Sequence, residues 1–296
     1  MKKLLIVSLG MGAFASVYAQ TISVGNFATG YTQDFDSLTN AASNTALTAG
    51  GGEFANGAGA TLPGWYYGQA GGTGSNYNIF GDTGASNTGR FYSYGSTGTT
   101  ERALGSAASG TTGTNSYGAR FVNNTGSSTG LATFQFDMEQ WRNGGNVNLQ
   151  GLLITYQLFK VGGAVYTQAD FNTGAGYLST NVWMQTTSLA DVTWSSLTTP
   201  TLTNSVQGPI AGATSAALNG NLAANALKVR TVFELYAAGQ SWDAGDELVV
   251  RISDINDAGN DHAYGIDNVT VVPEPASFAV IGLGLLGLVA RRRRKN

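Results

Sequence analysis

Hard oxygen donors are densest in Asp254-Ile255-Asn256-Asp257-Ala258-Gly259-Asn260-Asp261, where three aspartates and two asparagines surround a turn glycine. Such a run suits calcium, which takes roughly six to eight oxygen ligands at about 2.3–2.6 Å. It is not an EF-hand, because counting from Asp254 puts Ala258 and Gly265 where that loop needs its third oxygen ligand and its closing glutamate. In sandwich domains of secreted proteins the first and last strands tend to lie side by side, so Asp36 and Asp267 are expected to share an edge site. The calcium-ligand set expected from sequence is therefore Asp36, Asp254, Asp257, Asp261 and Asp267. Against it stands the ordinary use of Asp and Asn as turn formers.

Catalytic chemistry has few candidates. Glu101, Glu139, Glu234 and Glu247 are the carboxylates from which a retaining glycosidase would draw a pair about 5 Å apart. Glu101 beside Arg102, and Glu139 three residues before Arg142, read instead as ion pairs locking strand ends. His262 is the single histidine, so any Ser-His-Asp triad must use it; its polar surroundings, Asp257 to Ala263, predict a loop histidine near the sheet rim. One histidine and no cysteine exclude a His/Cys zinc site. The expectation is a protein that is not an enzyme. Trp65, Tyr66, Tyr67 and Trp141 offer another chemistry, stacking against sugar rings in a lectin-like carbohydrate-binding module.

The C-terminal residues carry the strongest signal. Val272-Pro273-Glu274-Pro275 precedes the apolar run Ala276 to Ala290, which ends at Arg291-Arg292-Arg293-Arg294-Lys295-Asn296. As a helix rising 1.5 Å per residue that run spans roughly 22 Å, a marginal crossing of a hydrocarbon core about 30 Å thick. The five cations resist translocation and act as a membrane stop, placing everything before the run on the far side. A plain tail anchor with the same three parts is the alternative. Pro273 and Pro275 disfavour helix in the residue before each, so Val272 to Pro275 is expected to stay extended between the folded body and the membrane segment.

At the other end, Lys2-Lys3, the apolar stretch Leu4 to Ala15 and the small-x-small site Val17-Tyr18-Ala19 predict a signal peptide over residues 1–19. The predicted organisation is that signal, a body over 20–271 and a sorting segment over 272–296. With no cysteine, the exported body has no disulfides, and its stability must come from its core, from metal, or from both. The formal net charge of −3 divides into +2 before residue 20, +4 after residue 271 and −9 between them. The eight body cations stand singly, which argues against nucleic acid as a partner.

Forty-two glycines and only five prolines accompany 13 Tyr, 13 Phe and five Trp, so the chain has the aromatic surface to build a core. Period-two apolar spacing recurs between Gly and Asn clusters, most clearly from Leu131 to Trp141, where Phe134, Phe136 and Met138 alternate with Gln135, Asp137 and Glu139. Other strands are expected at Tyr31–Leu38, Leu62–Tyr67, Tyr117–Val122, Leu149–Val161, Tyr177–Leu189, Lys228–Ala237, Glu247–Ile252 and Ile266–Val272. Ala213 to Lys228 is the one helical candidate, interrupted by Gly220. About ten to twelve short strands predict an all-β, jelly-roll-like antiparallel β-sandwich. An immunoglobulin-type sandwich is the runner-up, weakened by length and by the missing cysteine pair.

The order Pro-Glu-Pro, apolar run, basic cluster resembles the PEP-CTERM sorting signal of exported bacterial proteins. That resemblance implies a membrane-embedded exosortase as partner, cutting near Pro275, with the inner membrane as a transient anchor. The blocks Gln33 to Leu38, Leu62 to Trp65, Glu101 to Ser106, Glu139 to Arg142 and His262 to Val269 are similar to sandwich domains attached to such tails. They imply fold and surface location, and bring no established activity. The functional expectation is a structural, exopolysaccharide-associated surface or matrix protein. A lectin-like module is the alternative, and a glycoside hydrolase a more distant one.

Overall fold

The computed structural model describes residues 20–56, 59–186 and 205–274. Its strands form two sheets. The first holds eight strands: β1 (Ile22–Val24), β4 (Gly52–Asn56), β5 (Ala60–Gly71), β9 (Gly113–Asn123), β11 (Gly151–Phe159), β12 (Leu178–Ser179), β14 (Ser205–Gln207) and β17 (Glu247–Asp254). The second holds ten: β2 (Tyr31–Gln33), β3 (Asn44–Ala46), β6 (Asn78–Asp82), β7 (Arg90–Tyr94), β8 (Ala103–Ala107), β10 (Leu131–Asn143), β13 (Asn181–Thr186), β15 (Ala216–Ala217), β16 (Ala226–Glu234) and β18 (Ala263–Glu274).

The smaller sheet runs β12-β11-β17-β9-β5-β4 and the larger β13-β16-β10-β18-β8-β7-β6-β3. Pairing is antiparallel apart from β1 with β9 and β6 with β7. The inner faces form one core. Phe134, Phe136 and Met138 of β10 and Ile266 and Val269 of β18 meet Trp65 and Tyr67 of β5, Phe121 of β9 and Val250 of β17. Tyr156 and Phe233 bridge the sheets with ring centroids 4.9 Å apart, and Tyr67 and Phe91 do so at 5.5 Å. This is the sandwich that the alternation predicts, because a strand with an apolar face every second residue must bury that face against another sheet.

The outer faces are partly covered as well. On the larger sheet Tyr92, Tyr94 and Trp141 form a second cluster, with Tyr94 and Trp141 stacked at 5.7 Å and 7°. Gly105 and Gly265 make room for these rings: a Cβ on Gly105 would lie 2.8 Å from the Tyr94 ring and 2.2 Å from the Tyr264 carbonyl oxygen. On the smaller sheet, helix α1 (Gln168–Thr173) lays Phe171 over Tyr66 and Val249. It is a single short helix that apolar periodicity does not reveal; Thr167 caps it by accepting from Asp170 N, and Gly174 ends it in the left-handed region.

Three expectations change. Ala213 to Lys228 is not a helix: it contributes β15, a 3-10 turn at Ala223–Asn225 and the start of β16. Gly220 packs there against the Trp141 indole, where a Cβ would come within 2.5 Å of Nε1. The strand expected from Tyr31 to Leu38 stops at Gln33, because Phe35 turns the chain at φ 56°. The strand expected from Tyr177 to Leu189 divides into β12 and β13, in different sheets, and its end lies outside the described residues.

Candidate functional site

In the larger sheet β10 and β18 are neighbours, with Asp137 directly opposite Asp267 and Glu139 opposite Gly265. Like charges across a strand pair destabilise it, so this placement needs compensation. The register slips between Gln135 and Asp137, so that Asn268 and Val269 face the single residue Phe136. Asn268 takes up the extra length at φ 50°. Glu101, two residues before β8, joins from the other side of β18. One oxygen from each of Glu101, Glu139 and Asp267 lies within 4.8 Å of the other two.

The three carboxylates are poorly compensated. Glu139 is 3 % exposed and receives one hydrogen bond, from Trp141 Nε1 to Oε2 at 2.9 Å. Asp267 is 5 % exposed; Asn268 Nδ2 donates to its Oδ2 at 2.8 Å, while Oδ1 has no hydrogen-bond partner. Glu101 accepts from Asn221 Nδ2 through Oε2, leaving Oε1 buried and without a partner. Burial pushes Glu139 up to about 8, helped by the charges of Glu101 and Asp267. Asp267 is likewise pushed up to about 8, by burial first and then by Glu101, Asp137 and Asp36. Burial also raises Glu101. Lys228 lies 3.5 Å from Asp137, and the Arg102 charge acts on Glu101. Carboxylates gathered this way can accept a cation or share protons.

The calcium set expected from sequence divides in two. Asp267 enters the cluster, and Asp36 stands at its exposed rim, its Oδ1 accepting from Arg102 N at 3.0 Å. Asp254, Asp257 and Asp261 lie elsewhere. Asp254 is buried at the end of β17 and accepts from Ser106 Oγ of β8 at 2.7 Å. Asp261 Oδ1 accepts from Asp257 N at 2.8 Å, a turn-forming contact. Sequence proximity along 254–261 therefore does not become one ligand sphere, since β17 has carried Asp254 inside. Glu101 and Glu139, weighed from sequence as catalytic acids or ion-pair members, are the residues that complete the Asp267 group. Glu139 lies on the acid face of the β10 alternation, whereas Glu101, before β8, carries no comparable pattern.

The other candidates have structural surroundings. Trp65, Tyr66, Tyr67 and Trp141 are all buried, at 2 % exposure or less, so none presents a ring to a sugar. Trp65 and Tyr67 belong to the core between the sheets, Tyr66 lies beneath α1, and Trp141 lies against Tyr94. Glu247 is paired with Arg120, whose Nη2 donates to Oε2 at 2.8 Å, and Glu234 is exposed. His262 is fully buried rather than at a rim. Gly144 N donates to its Nδ1 at 2.9 Å and Nε2 lies 3.3 Å from the Asn148 carbonyl, so the ring pins the chain between β10 and β11. Gly126-Ser127-Ser128-Thr129-Gly130 has the Gly-x-Ser-x-Gly spelling, but it joins β9 to β10, whereas a nucleophile elbow joins a strand to a helix.

The final strand runs into the tail motif. Val272, Pro273 and Glu274 pair with Thr133, Ala132 and Leu131 of β10. Pro273 is buried, Thr133 Oγ1 donates to Glu274 Oε1 at 2.9 Å, and Thr129 Oγ1 donates to the Glu274 carbonyl. The segment is extended, as its prolines predict, but held in a sheet rather than free. Beyond Val271 β18 has no β2 partner, so Pro273 stands at an edge position of the kind where proline is tolerated. Pro275, the apolar run 276–290, the basic cluster Arg291 to Lys295 and the signal peptide lie outside the described residues. Among the described residues no helix is long and apolar enough to cross a membrane.

Residues 271–294 match the PEP-CTERM protein-sorting motif. That motif supports an exosortase-sorted protein. The PEP-CTERM tail marks an exported protein that is sorted through the membrane to the cell surface. No curated protein matches the chain. Among solved structures it is similar to the adhesin domain of Epf from Streptococcus pyogenes, at 10% identity and a TM-score of 0.28, over 70% of this chain and 57% of that one. The chain thus spans little more than half of that domain, and a likeness so slight carries no inference about either fold or role.

Proposed function

We propose that the sandwich is a non-catalytic structural component of the cell surface or its extracellular matrix, associated with exopolysaccharide. The observation that carries this reading is the PEP-CTERM motif continuing directly from β18, so that the sandwich itself is the cargo the exosortase handles. Burial of Trp65, Tyr66, Tyr67 and Trp141 favours it over the lectin-like alternative, which loses its stacking faces. Burial of Glu139 and the pairing of Glu247 with Arg120 likewise count against a glycosidase, whose two carboxyls must both reach a sugar. The acidic, cation-poor body fits a soluble surface role.

Expression in an exosortase-bearing host, followed by intact-mass measurement and fractionation of the extracellular polysaccharide, tests both parts. The expected mature chain ends at or near Pro275, lacks Arg291 to Lys295, and is recovered with the polysaccharide fraction. A mature chain still carrying the arginines would make the tail a plain anchor. Recovery wholly in free medium, with none on the polysaccharide, would remove the matrix association while leaving the sorting intact.

A further inference from the structure

The carboxylate cluster is a liability unless something neutral or positive completes it. Glu101, Glu139 and Asp267 come from three segments that the larger sheet brings together, and Asn221 reaches the same place from the chain leading into β16. Three buried oxygens there have no hydrogen-bond partner: Asp267 Oδ1, Glu101 Oε1 and Asn221 Oδ1. Asp267 is the decisive one, being 5 % exposed and within 4.8 Å of both glutamates. A buried acceptor without a donor pays its desolvation uncompensated, and more when charged, so such atoms call for a missing partner.

We propose that Glu101, Glu139 and Asp267 bind a calcium ion, with Asn221 Oδ1 as a neutral fourth donor and Asp36 at the rim. Two ligands at about 2.4 Å from one ion are separated by at most about 4.8 Å, which is the limit within which these oxygens fall. All the donors are oxygen, and the nitrogen side chains hydrogen-bonded to these carboxylates, the Trp141 indole and the Asn221 and Asn268 amides, are N–H donors that do not ligate; such a set selects a hard cation. The cluster differs from the loop at 254–261, which forms no comparable group among the described residues.

The ion joins β10, β18, the approach to β8 and the approach to β16 at one point. In a chain without cysteine it does what a cross-link would do, and it does so where the larger sheet's outer face is closed by loops rather than by another sheet. Extracellular modules bind calcium with dissociation constants of about 0.1–1 mM, so the site would fill outside the cell rather than in the cytosol. This inference does not depend on exosortase or on polysaccharide, and its test leaves both aside.

The full chain, purified in detergent and stripped with chelator, is titrated with terbium while tryptophan is excited, because the Trp141 indole touches Glu139. The expected result is sensitised emission that saturates near one ion per chain and is displaced by calcium but not by equimolar magnesium. Trp141→Phe should lose most of the emission while calcium still raises its melting temperature. Glu101→Gln and Asp267→Asn should each bind about tenfold more weakly or worse, since affinity follows the number of charged ligands. They should also melt higher than wild type in chelator, because each removes a buried carboxylate, and should gain less on adding calcium. That reversal separates loss of a ligand from loss of the fold. The proposal is overturned if neither chelator nor calcium moves the wild-type melt, or if both variants bind as wild type does. It is equally overturned if Asp257→Asn rather than Asp267→Asn abolishes binding.

Discussion

Asp254 shows how far a single carboxyl can be taken from its usual chemistry. It is 3 % exposed, has Ser106 Oγ as a donor, and is held well above the usual carboxylate range by burial, with Asp261 and Asp257 adding to the effect. Its folded pKa thus exceeds the unfolded value of about 3.9, so the native state keeps a proton that the unfolded state releases. Stability is therefore lost as pH rises from about 4 toward the folded pKa, at about 1.4 kcal/mol for each pH unit crossed. Asp254→Asn keeps the acceptor for Ser106 and removes that slope. Melts of wild type and variant should converge at pH 4, with the variant higher at pH 8; a variant that melts lower at pH 8 would mean the ionised form is paired after all. His262 has the opposite sign. Burial lowers its pKa and its Nδ1 already accepts from Gly144, so its contribution is present above about pH 6.5 and is lost as pH falls below that value.

Between strands, the larger sheet depends on close approach. Gly105 of β8 faces Gly265 of β18, and a Cβ on Gly105 would meet the Tyr264 carbonyl at 2.2 Å, a backbone atom that cannot swing aside. Gly105→Ala is expected to cost about 3 kcal/mol, read as a lower denaturant midpoint with unchanged slope; a loss below about 0.5 kcal/mol would show that β8 and β18 can separate freely. The end of β18 makes a second claim. Val272 to Glu274 bury Pro273 and hold Glu274 through Thr133 and Thr129. Cutting near Pro275 then requires this strand end to peel from β10. Thr133→Val removes the hydroxyl that holds the Glu274 carboxylate, a bond worth about 1 kcal/mol, and pulse-chase in the exosortase-bearing host should show faster conversion of precursor to mature chain. Unchanged or slower conversion would mean that the paired end does not limit cutting.

Over the whole molecule, two sheets bury one aromatic core between them and smaller clusters on each outer face, without a disulfide. The five sequence blocks that resemble other tail-bearing sandwich domains have a physical meaning in this arrangement. Four of them supply the acids at or beside the cluster: Asp36, Glu101, Glu139 and Asp267. The blocks around Glu101 and Asp267 also contain Gly105 and Gly265, which admit the Tyr94 and Trp141 rings. The fifth contributes Trp65, whose indole packs edge-on to Phe35 at 4.8 Å in the turn that leads to Asp36.

The address of this protein was legible in the amino-acid order alone, because a sorting tail is read as a linear string of motif, apolar length and charge. The β class was legible too, since period-two burial is a local property of each strand, as in Phe134, Phe136 and Met138. Tertiary structure decided the rest. Whether Trp141 faces a sugar or a neighbouring ring depends on Tyr94, Gly105 and Gly265, which lie on other strands. Which acids meet depends on β10, β18 and β8 being neighbours in space though far apart in the chain. The dense run from Asp254 to Asp261 drew attention because its residues are adjacent, yet the end of β17 buries the first of them and a turn uses the last. Glu101, Glu139 and Asp267 had no such local signal, because register and a bulge at Asn268, rather than sequence spacing, bring their oxygens together.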